Sequence, residues 1–287
     1  MFTDGPVTPV RVEILIDLMR GLSVRRIDRA LLAQLLQPEG LPSLDPKKRV
    51  QAQETLKAAL DLGIMTEDAD GTLKLIVERK DKRTAKQILL AALDEVVISS
   101  TEVEPYFSLF YSYLLSLNAD GCVNRSNSEW AVDFERDVFG GQRVNNPFNE
   151  VKLTGLHRWL SYAGLGWYDI SEVFQPNPYE RLRRRLGAIF AGEAKLTGEE
   201  FMRRLSEACP ELDGGTIFRR ADRGYDPAAK VCTLGLSHAL IDLHQEGWIR
   251  LDCPRDSRGW SIEAASPPGD SLQSGRIDTV ELVKVTE

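Results

Sequence analysis

Apolar and polar positions produce the same succession of elements near both ends of the chain. Toward the C-terminus, apolar residues recur at helical spacing from Leu236 to Leu243, and Gly247 follows at the position where a left-handed cap ends a helix. Residues 248–251 and 259–262 then have the composition of two strands separated by a turn that contains proline. This order of helix, glycine, strand, turn and strand is typical of the end of a winged-helix unit.

The N-terminal part repeats this order. Residues 51–62 form a helical pattern, Gly63 caps it, and a strand is predicted to begin at Ile64. Asp70 and Gly71 form a strong hairpin signal before a returning strand at residues 73–77. Two complete copies of the pattern predict a tandem arrangement.

A third, incomplete copy lies between the other two. A helical pattern at residues 156–163 leads to Gly164 and to a strand at residues 165–168. Pro176 and Pro178 follow, and we expect them to prevent a regular second strand because proline removes donors from the ladder. This copy is therefore predicted to be degenerate.

Helix signals complete the first unit. Residues 10–22 are amphipathic, residues 24–36 follow Ser23 as a candidate N-cap, and Asp45 with Pro46 is predicted to begin the third helix. Three helices and a hairpin within about 70 residues satisfy the requirements of a winged helix.

The middle and last thirds of the chain are also predicted to be mainly helical. Helical patterns cover residues 84–98, an aromatic-rich stretch at 102–117, and residues 129–139, 179–190 and 195–209. Thr197 and Glu200 form a capping-box pattern in the last of these. Residues 277–285 alternate apolar and charged positions, which predicts an edge strand or a mobile tail.

We therefore predict a mainly α protein with small β-hairpin wings, in which tandem winged-helix units are joined by a helical middle region. The expected domains are an N-terminal winged helix at residues 1–80 and a helical region with a degenerate unit at 81–192. A C-terminal winged helix at 193–266 and a linker with a tail at 267–287 complete the arrangement.

Composition restricts the function. The 287 residues carry a net charge of −7 and are 43% hydrophobic, which is ordinary for a globular protein. An acidic chain is a poor general binder of nucleic acid, so any DNA contact must come from local basic clusters. No apolar run approaches a membrane span, and the first residues contain prolines instead of a signal-peptide pattern. We expect a cytoplasmic protein without a membrane partner.

The sequence contains no recognisable catalytic constellation. It lacks a phosphate-binding glycine loop and a nucleophile elbow, and its four cysteines show no paired spacing, so reduced thiols are expected. A zinc site formed by Cys232, Cys253 and a histidine lacks the usual ligand pairs, so ordinary core and surface roles are favoured. Glu281 and Lys284 resemble a fragment of a metal-nuclease signature, but their spacing is wrong by one residue. We therefore predict no enzyme activity, no metal and no cofactor.

Basic clusters provide the candidate DNA contacts. Three of them lie on the outward face of the expected second helix, three open the expected recognition helix, and the others belong to two later segments. Cations at such places meet phosphates in winged-helix complexes, although a solvated charged face and an acidic protein partner are alternatives. The candidates are Arg25, Arg26, Arg29, Lys47, Lys48, Arg49, Arg181, Arg183, Arg184, Arg185, Arg219 and Arg220.

The last unit has a different charge pattern. Its expected recognition helix exposes His238, Asp242, Gln245 and Glu246 and carries no lysine or arginine cluster. The phosphate contribution to binding would be unfavourable there. This unit is predicted to bind protein, or to contact DNA only through Arg255 and Arg258 of the wing.

One block of the sequence resembles a known family. Residues 156–160 (LHRWL), 163–167 (AGLGW) and 176–178 (PNP) are similar to the central block of DpdG-like proteins. The order of an opening winged helix, an aromatic-rich middle and a second glycine-turn unit is similar too. Those proteins belong to bacterial gene clusters that place 7-deazaguanine bases in DNA and restrict DNA that lacks them. The resemblance implies an accessory role in DNA modification, restriction and antiviral defence, and it carries no catalytic residues.

We therefore predict a non-catalytic accessory subunit that helps a larger modification or restriction complex to engage double-stranded DNA. An alternative is an acidic tandem winged-helix scaffold that binds partner proteins instead of DNA. A further alternative is a transcriptional regulator.

Overall fold

The computed structural model describes residues 7–22, 26–38, 50–78, 80–117, 126–141, 147–170, 173–254, 256–262 and 275–284. The chain divides into two compact units. Unit 1 contains residues 1–105 and 150–159, and unit 2 contains residues 106–149 and 160–287. The described part of the chain is mainly helical, with small antiparallel hairpins, as predicted.

Unit 1 begins with four helices and a small sheet. The elements are α1 (Pro9–Gly21), β1 (Ile27–Asp28), α2 (Arg29–Leu36), α3 (Val50–Asp61), β2 (Met65–Glu67), β3 (Thr72–Leu75) and α4 (Ala85–Leu93). The antiparallel sheet has the order β1–β3–β2, and Leu73 at its centre faces both Ile27 and Glu67. A π-helical turn, Asp94–Ile98, continues α4. The core is formed by the apolar faces of α1, α3 and α4 together with Leu73.

The second helix differs from its prediction. It begins at Arg29, and the expected N-cap Ser23 lies outside the described residues. Asp28 is the actual cap, and its carboxylate accepts hydrogen bonds from the backbone nitrogens of Ala30 and Leu31 at 2.8 and 3.1 Å. Ile27 and Asp28, just before the helix, form the short strand β1, which pairs with β3.

Unit 2 opens with an aromatic core. Its first helices are α5 (Pro105–Ser116) and α6 (Asn127–Phe139). The next helix, α7 (Glu150–Tyr162), is divided between the units, because its residues 150–159 belong to unit 1 and the rest to unit 2. Phe110 and Phe134 lie at the centre, with ring centroids 5.1 Å apart in an edge-to-face arrangement. Phe148 contacts both rings, at 5.3 and 4.9 Å. Such pairs stabilise a core by more than their buried area alone.

The hairpin after α7 corrects one prediction. β4 (Gly166–Tyr168) pairs with β5 (Phe174–Pro176), so the two prolines do not prevent the second strand. Pro176 is the last residue of β5 and faces Gly166, and β5 has no strand other than β4 beside it in the described sheets. The ladder resumes where the backbone nitrogen of Asn177 donates to Leu165 at 2.9 Å.

A second set of helices and strands follows. It comprises α8 (Tyr179–Phe190), β6 (Lys195–Thr197), α9 (Gly198–Ala208), the short α10 (Phe218–Ala221), α11 (Leu234–Gln245) and β7 (Ile249–Asp252). The remaining strands are β8 (Trp260–Ser261), β9 (Arg276–Ile277) and β10 (Thr279–Leu282). The larger sheet has the order β6–β10–β7, and β8 pairs with β9.

The described part of the C-terminal segment forms the central strand β10, not the edge strand or mobile tail that was predicted. Val280 pairs with Leu196 on one side and with Leu251 on the other, and its side chain is completely buried. The returning strand expected at residues 259–262 does not pair with β7. Residues 260 and 261 pair with β9 instead, within the long connection between β7 and β10.

The three predicted glycine turns are confirmed. Gly63, Gly164 and Gly247 have φ angles of +64°, +71° and +72°. In each turn the nitrogen after the glycine donates to the carbonyl five residues earlier at 2.9 Å, which is the Schellman arrangement. The same local geometry thus ends α3, α7 and α11.

Candidate nucleic-acid interface

Two of the predicted arginines in unit 1 lie against the β2–β3 hairpin. The Arg26 guanidinium lies 3.4 Å from the Asp68 carboxylate, and Arg29 lies 2.9 Å from Glu67. Arg29 also reaches the side-chain oxygen of Gln53 on α3, at 3.4 Å. Arg26 and Arg29 therefore lie beside the start of α2, one face of α3 and the β2–β3 hairpin.

The carboxylates partly compensate this basic edge. Asp68 also binds Lys74 at 3.0 Å, so one acidic group serves two cations. The Arg26 side chain is 61% exposed and the Arg29 side chain is 38% exposed, so both remain accessible to a phosphate. The predicted contacts Arg25, Lys47, Lys48 and Arg49 lie outside the described residues.

The solvent face of α3 carries polar groups of mixed charge. Gln51, Gln53, Lys57 and Asp61 are exposed, whereas Glu54, also expected on this face, is half-buried. Amide side chains can read base edges in the major groove, while Asp61 at the end of the helix would repel phosphates. The start of α3 is thus the part of this helix that suits DNA.

Arg181 does not belong to an exposed basic surface. Its side chain is completely buried, and its Nε lies 2.8 Å from an oxygen of Glu211, which is also completely buried. A buried ion pair of this kind cannot contact a phosphate without opening the core. The prediction that Arg181 projects outward with its neighbours is therefore wrong, because Glu211 supplies a buried partner from a distant segment.

The other arginines of α8 contact their own unit. Arg183 binds Glu180 at 2.8 Å, and its guanidinium lies 5.3 Å from the ring centroid of Trp248. Arg184 donates to the backbone carbonyl of Ala163 at 3.2 Å. Arg185 is half-buried. We infer that α8 offers less free positive charge than its sequence indicates.

Arg219 and Arg220 are exposed on α10, as predicted. Arg223, nearby, donates to the backbone carbonyl of Val138 at 3.0 Å. Of the two wing residues considered for the last unit, Arg258 is exposed and Arg255 lies outside the described residues. These positions remain predictions as DNA contacts.

The glutamate network around α9 was not predicted. Arg203 binds Glu200 and Glu207, each at 2.6 Å, and Arg204 binds Glu200 and Glu193, each at 2.5 Å. The neighbouring arginines hold the pKa of Glu200 down at about 2. The i, i+3 and i, i+4 spacings within α9 were the available signal.

The two thiols considered as metal ligands, Cys232 and Cys253, are both buried. Burial raises the pKa of Cys253 to about 12 and places that of Cys232 well above its usual range, so both are protonated at neutral pH. Across the described ranges, no three histidine, cysteine or acidic side chains come together as metal ligands.

None of the helices in the described part of the chain combines the length and the apolar character needed to cross a membrane.

The described residues form a mainly helical protein with small antiparallel hairpins. The DpdG-like family matches residues 3–257, and this chain therefore belongs to the DpdG-like family. The family is associated with 7-deazaguanine modification systems, and the resemblance seen in the sequence is confirmed. No curated protein and no solved structure matches the chain.

Proposed function

We propose that this protein is a non-catalytic accessory subunit of a bacterial 7-deazaguanine DNA modification–restriction system, and that its unit 1 contacts double-stranded DNA. The observation that carries the proposal is the arrangement of unit 1. Its elements follow in the order helix, strand, two helices and a hairpin, and the strand joins the hairpin in a sheet of order β1–β3–β2. We interpret this arrangement as a winged helix. Family membership supplies the context of DNA modification.

The proposed DNA edge consists of Arg26, Arg29 and the first turn of α3. Arg26 and Arg29 keep exposed guanidinium groups beside the hairpin. Gln51 and Gln53 face solvent on α3 and would lie toward the groove. Arg25, Lys47, Lys48 and Arg49 flank these elements in the sequence and would add phosphate contacts.

Fluorescence anisotropy on a labelled duplex, measured over a series of salt concentrations, tests the proposal. We expect binding that weakens steeply with salt, because each neutralised phosphate contributes about 0.9 to the logarithmic slope. Replacing Arg26 and Arg29 together with alanine should lower that slope by roughly 2. Absence of binding at low salt, or binding without a salt slope, would remove the DNA role.

A matched control removes the same charge from unit 2. Arg203 and Arg250 are exposed and bind glutamates, and neither is a proposed DNA contact. The Arg203→Ala, Arg250→Ala variant should keep the slope of the unaltered protein. An equal loss in both double variants would indicate a general charge effect and would contradict a specific edge in unit 1.

A second candidate function is that of an assembly subunit that binds proteins through unit 2. In unit 2 the strand order β6–β10–β7 corresponds to β1–β3–β2 in unit 1, because in both sheets the last strand in the chain lies between the other two. We interpret unit 2 as containing another winged helix. The glutamate partners of Arg183, Arg203 and Arg204 favour this candidate, because they reduce the positive charge available to DNA.

Co-expression with the products of the neighbouring genes, followed by size-exclusion chromatography, tests this second candidate. A complex that persists in high salt and without DNA supports it. Charge reversal at Arg183 and Arg184 should then leave DNA modification or restriction intact. Loss of that activity, with the complex still assembled, would favour a DNA role for α8 instead.

A further inference from the structure

Unit 2 contains a cleft lined by aromatic and polar side chains. It has a volume of about 270 Å³, and its lining includes Gly166, Trp167, Asn177, Tyr179, Asp242 and Glu246. Drug-sized ligands occupy pockets of roughly 300–1,000 Å³, so this cleft suits one small ring system. Trp167 keeps 53% of its surface exposed, which is unusual for a residue of this size.

The glutamates beside the cleft already have partners. Glu180, also in the lining, binds Arg183 at 2.8 Å. Glu246 accepts hydrogen bonds from the Tyr179 hydroxyl and from the Trp248 indole, the latter at 3.2 Å. Lys284 lies close by, because its amine donates to the backbone carbonyl of Glu246 at 2.7 Å. Their charges are therefore largely compensated by Arg183 and Lys284.

Asp242 and Asn177 differ from these glutamates. The half-buried Asp242 carboxylate has no hydrogen-bond or ion-pair partner among the residues that the structure describes. The Asn177 side chain is only 7% exposed, and its oxygen accepts the backbone N–H of Tyr179 at 2.8 Å. That bond fixes the amide orientation, because a backbone nitrogen can only donate. The Asn177 amide nitrogen has no hydrogen-bond partner in the described ranges, and Asn177 is one of the residues that line the cleft.

We propose that this cleft binds a single guanine-type base, with Asp242 accepting from its ring N–H and exocyclic amine and Asn177 donating to its carbonyl oxygen. Trp167 and Tyr179 would supply aromatic contact with the flat ring, as in single-strand binding proteins. The inference goes beyond the proposed function, since it concerns a ligand of unit 2 and does not require a duplex.

The pairing of one acceptor with one donor disfavours a simple cation as the occupant. A lysine or arginine side chain would satisfy Asp242, but it carries no acceptor for the buried Asn177 amide. An unmatched buried donor weakens binding, because its desolvation is not repaid by a hydrogen bond. Among the bases, guanine presents a carbonyl oxygen next to two adjacent donors, and a carboxylate accepts two such donors at once.

Isothermal titration calorimetry of the full chain with guanosine, adenosine and cytidine monophosphates tests the proposal. We expect saturable binding of the guanine nucleotide, at least about tenfold tighter than the other two, since a good bidentate contact discriminates by that order. A single-stranded oligothymidine containing one guanine distinguishes the two sources. Tighter binding of this oligonucleotide places the base in a nucleic acid, and equal binding points to a free nucleotide. Both outcomes support the cleft.

Isosteric variants separate the two contacts. Asp242→Asn keeps the shape and removes the charge, and it should weaken guanine binding by about tenfold or more. Asn177→Asp keeps an acceptor for the Tyr179 nitrogen but replaces the donor, and it should weaken binding to a similar extent. Asp61→Asn, on the exposed face of α3 in unit 1, is the matched control. Asp242→Asn and Asp61→Asn should retain the unaltered unfolding temperature, and the affinity of Asn177→Asp is measured below its own unfolding temperature because its new carboxylate is buried.

Three results would overturn the inference. The first is no saturable heat with guanosine monophosphate at millimolar concentration. The second is equal affinity for the three nucleotides, or equal affinity in the Asp242→Asn and Asp61→Asn variants. The third is that N-acetyl-argininamide binds more tightly than the nucleotide and loses its binding in Asp242→Asn, because the cleft would then hold a cation.

Discussion

Units 1 and 2 build three-stranded sheets of the same order but close them differently. In unit 1, β2 and β3 are joined by a tight turn in which Gly71 has a φ of +80°. In unit 2, the connection between β7 and β10 runs from Cys253 to Asp278 and contains the β8–β9 pair. The same order of strands thus tolerates either a short or a long connection between its last two strands.

The two units also use arginine differently. In unit 1 the guanidinium groups of Arg26 and Arg29 meet carboxylates at the surface and remain exposed. In unit 2 Arg181 is an internal component of the core, held by Glu211. A run of arginines in a helix therefore does not by itself define a nucleic-acid surface, since one member can be structural.

Breaking the buried pair of unit 2 should give the largest effect. Arg181→Met leaves Glu211 buried without its cation, and we expect a loss of about 3–5 kcal/mol in the free energy of unfolding. Hydrogen exchange should show the loss of protection in unit 2 and little change in unit 1. Urea unfolding followed by circular dichroism measures the total.

Two controls accompany this variant. Arg219→Ala removes an exposed guanidinium from the same unit and should change stability by less than about 0.5 kcal/mol. The double variant Arg181→Met, Glu211→Leu should recover most of the loss, because no charge remains buried. A cost below about 1 kcal/mol for Arg181→Met alone would contradict the assignment.

The two units should respond to pH in opposite directions. In unit 1, burial lowers the pKa of His157 from 6.5 to about 4, so the unfolded chain binds a proton that the folded chain rejects. Stability should therefore be lost as pH falls from about 6.5 to 4, by about 3 kcal/mol. His157→Gln should abolish this loss.

In unit 2, burial raises the pKa of Asp213 from 3.8 to about 6, although its carboxylate accepts two hydrogen bonds from Thr233. The folded chain keeps a proton that the unfolded chain releases, so stability should fall as pH rises from about 4 to 6, by about 3 kcal/mol. Asp213→Asn should remove that slope. Unfolding curves at half-unit pH intervals for both variants check the signs, and parallel profiles would refute the comparison.

The glycine turns allow a smaller and more local comparison. An alanine at Gly63 in unit 1 meets nothing within 4 Å, so only the left-handed backbone is strained, at about 1 kcal/mol. At Gly164 in unit 2 the added carbon would also lie 2.9 Å from Cβ of Glu180, so we expect about 2 kcal/mol or more. Thermal unfolding of both variants measures the difference. Equal costs would show that α8 moves away without penalty.

The smallest expected effect concerns DNA affinity. Glu67→Gln would release Arg29 from its partner in unit 1 and should strengthen duplex binding by about two- to fivefold at low salt. Glu200→Gln releases Arg203 in unit 2 and should leave binding unchanged. Anisotropy titrations of both variants provide the test, and an equal gain would show that DNA does not distinguish the units.

The features that the sequence predicted well are those that depend on neighbouring residues. Gly63, Gly164 and Gly247 end their helices as expected because a left-handed residue is a local requirement that glycine meets without strain. The cap formed by Thr197, whose hydroxyl accepts from the Glu200 nitrogen at 3.2 Å, is local in the same sense. Helical periodicity likewise located most of the helices.

The features that were missed depend on distant residues. The short strand β1 exists because Ile27 meets Leu73, and β10 is central because Val280 meets both Leu196 and Leu251. The exposure of Arg29 on α2 followed from amphipathic spacing, but the position of Arg26 before the helix and the burial of Arg181 did not. Glu211 lies in a different segment, and no periodicity within α8 indicates it.

The central position of β10 has a consequence for the order of folding. β6 does not touch β7 in the sheet of unit 2, because β10 lies between them and pairs with both. The partners Leu196 and Val280 are much farther apart in the chain than Ile27 and Leu73, the corresponding pair of unit 1. Closing the longer loop costs more chain entropy before any contact forms. That added cost is small, because a doubling of loop length costs only about 0.6 kcal/mol. The order within the sheet follows instead from its topology, since β6 can join only after β10 is in place. Hydrogen exchange during refolding should therefore show protection of β6 no earlier than that of β10.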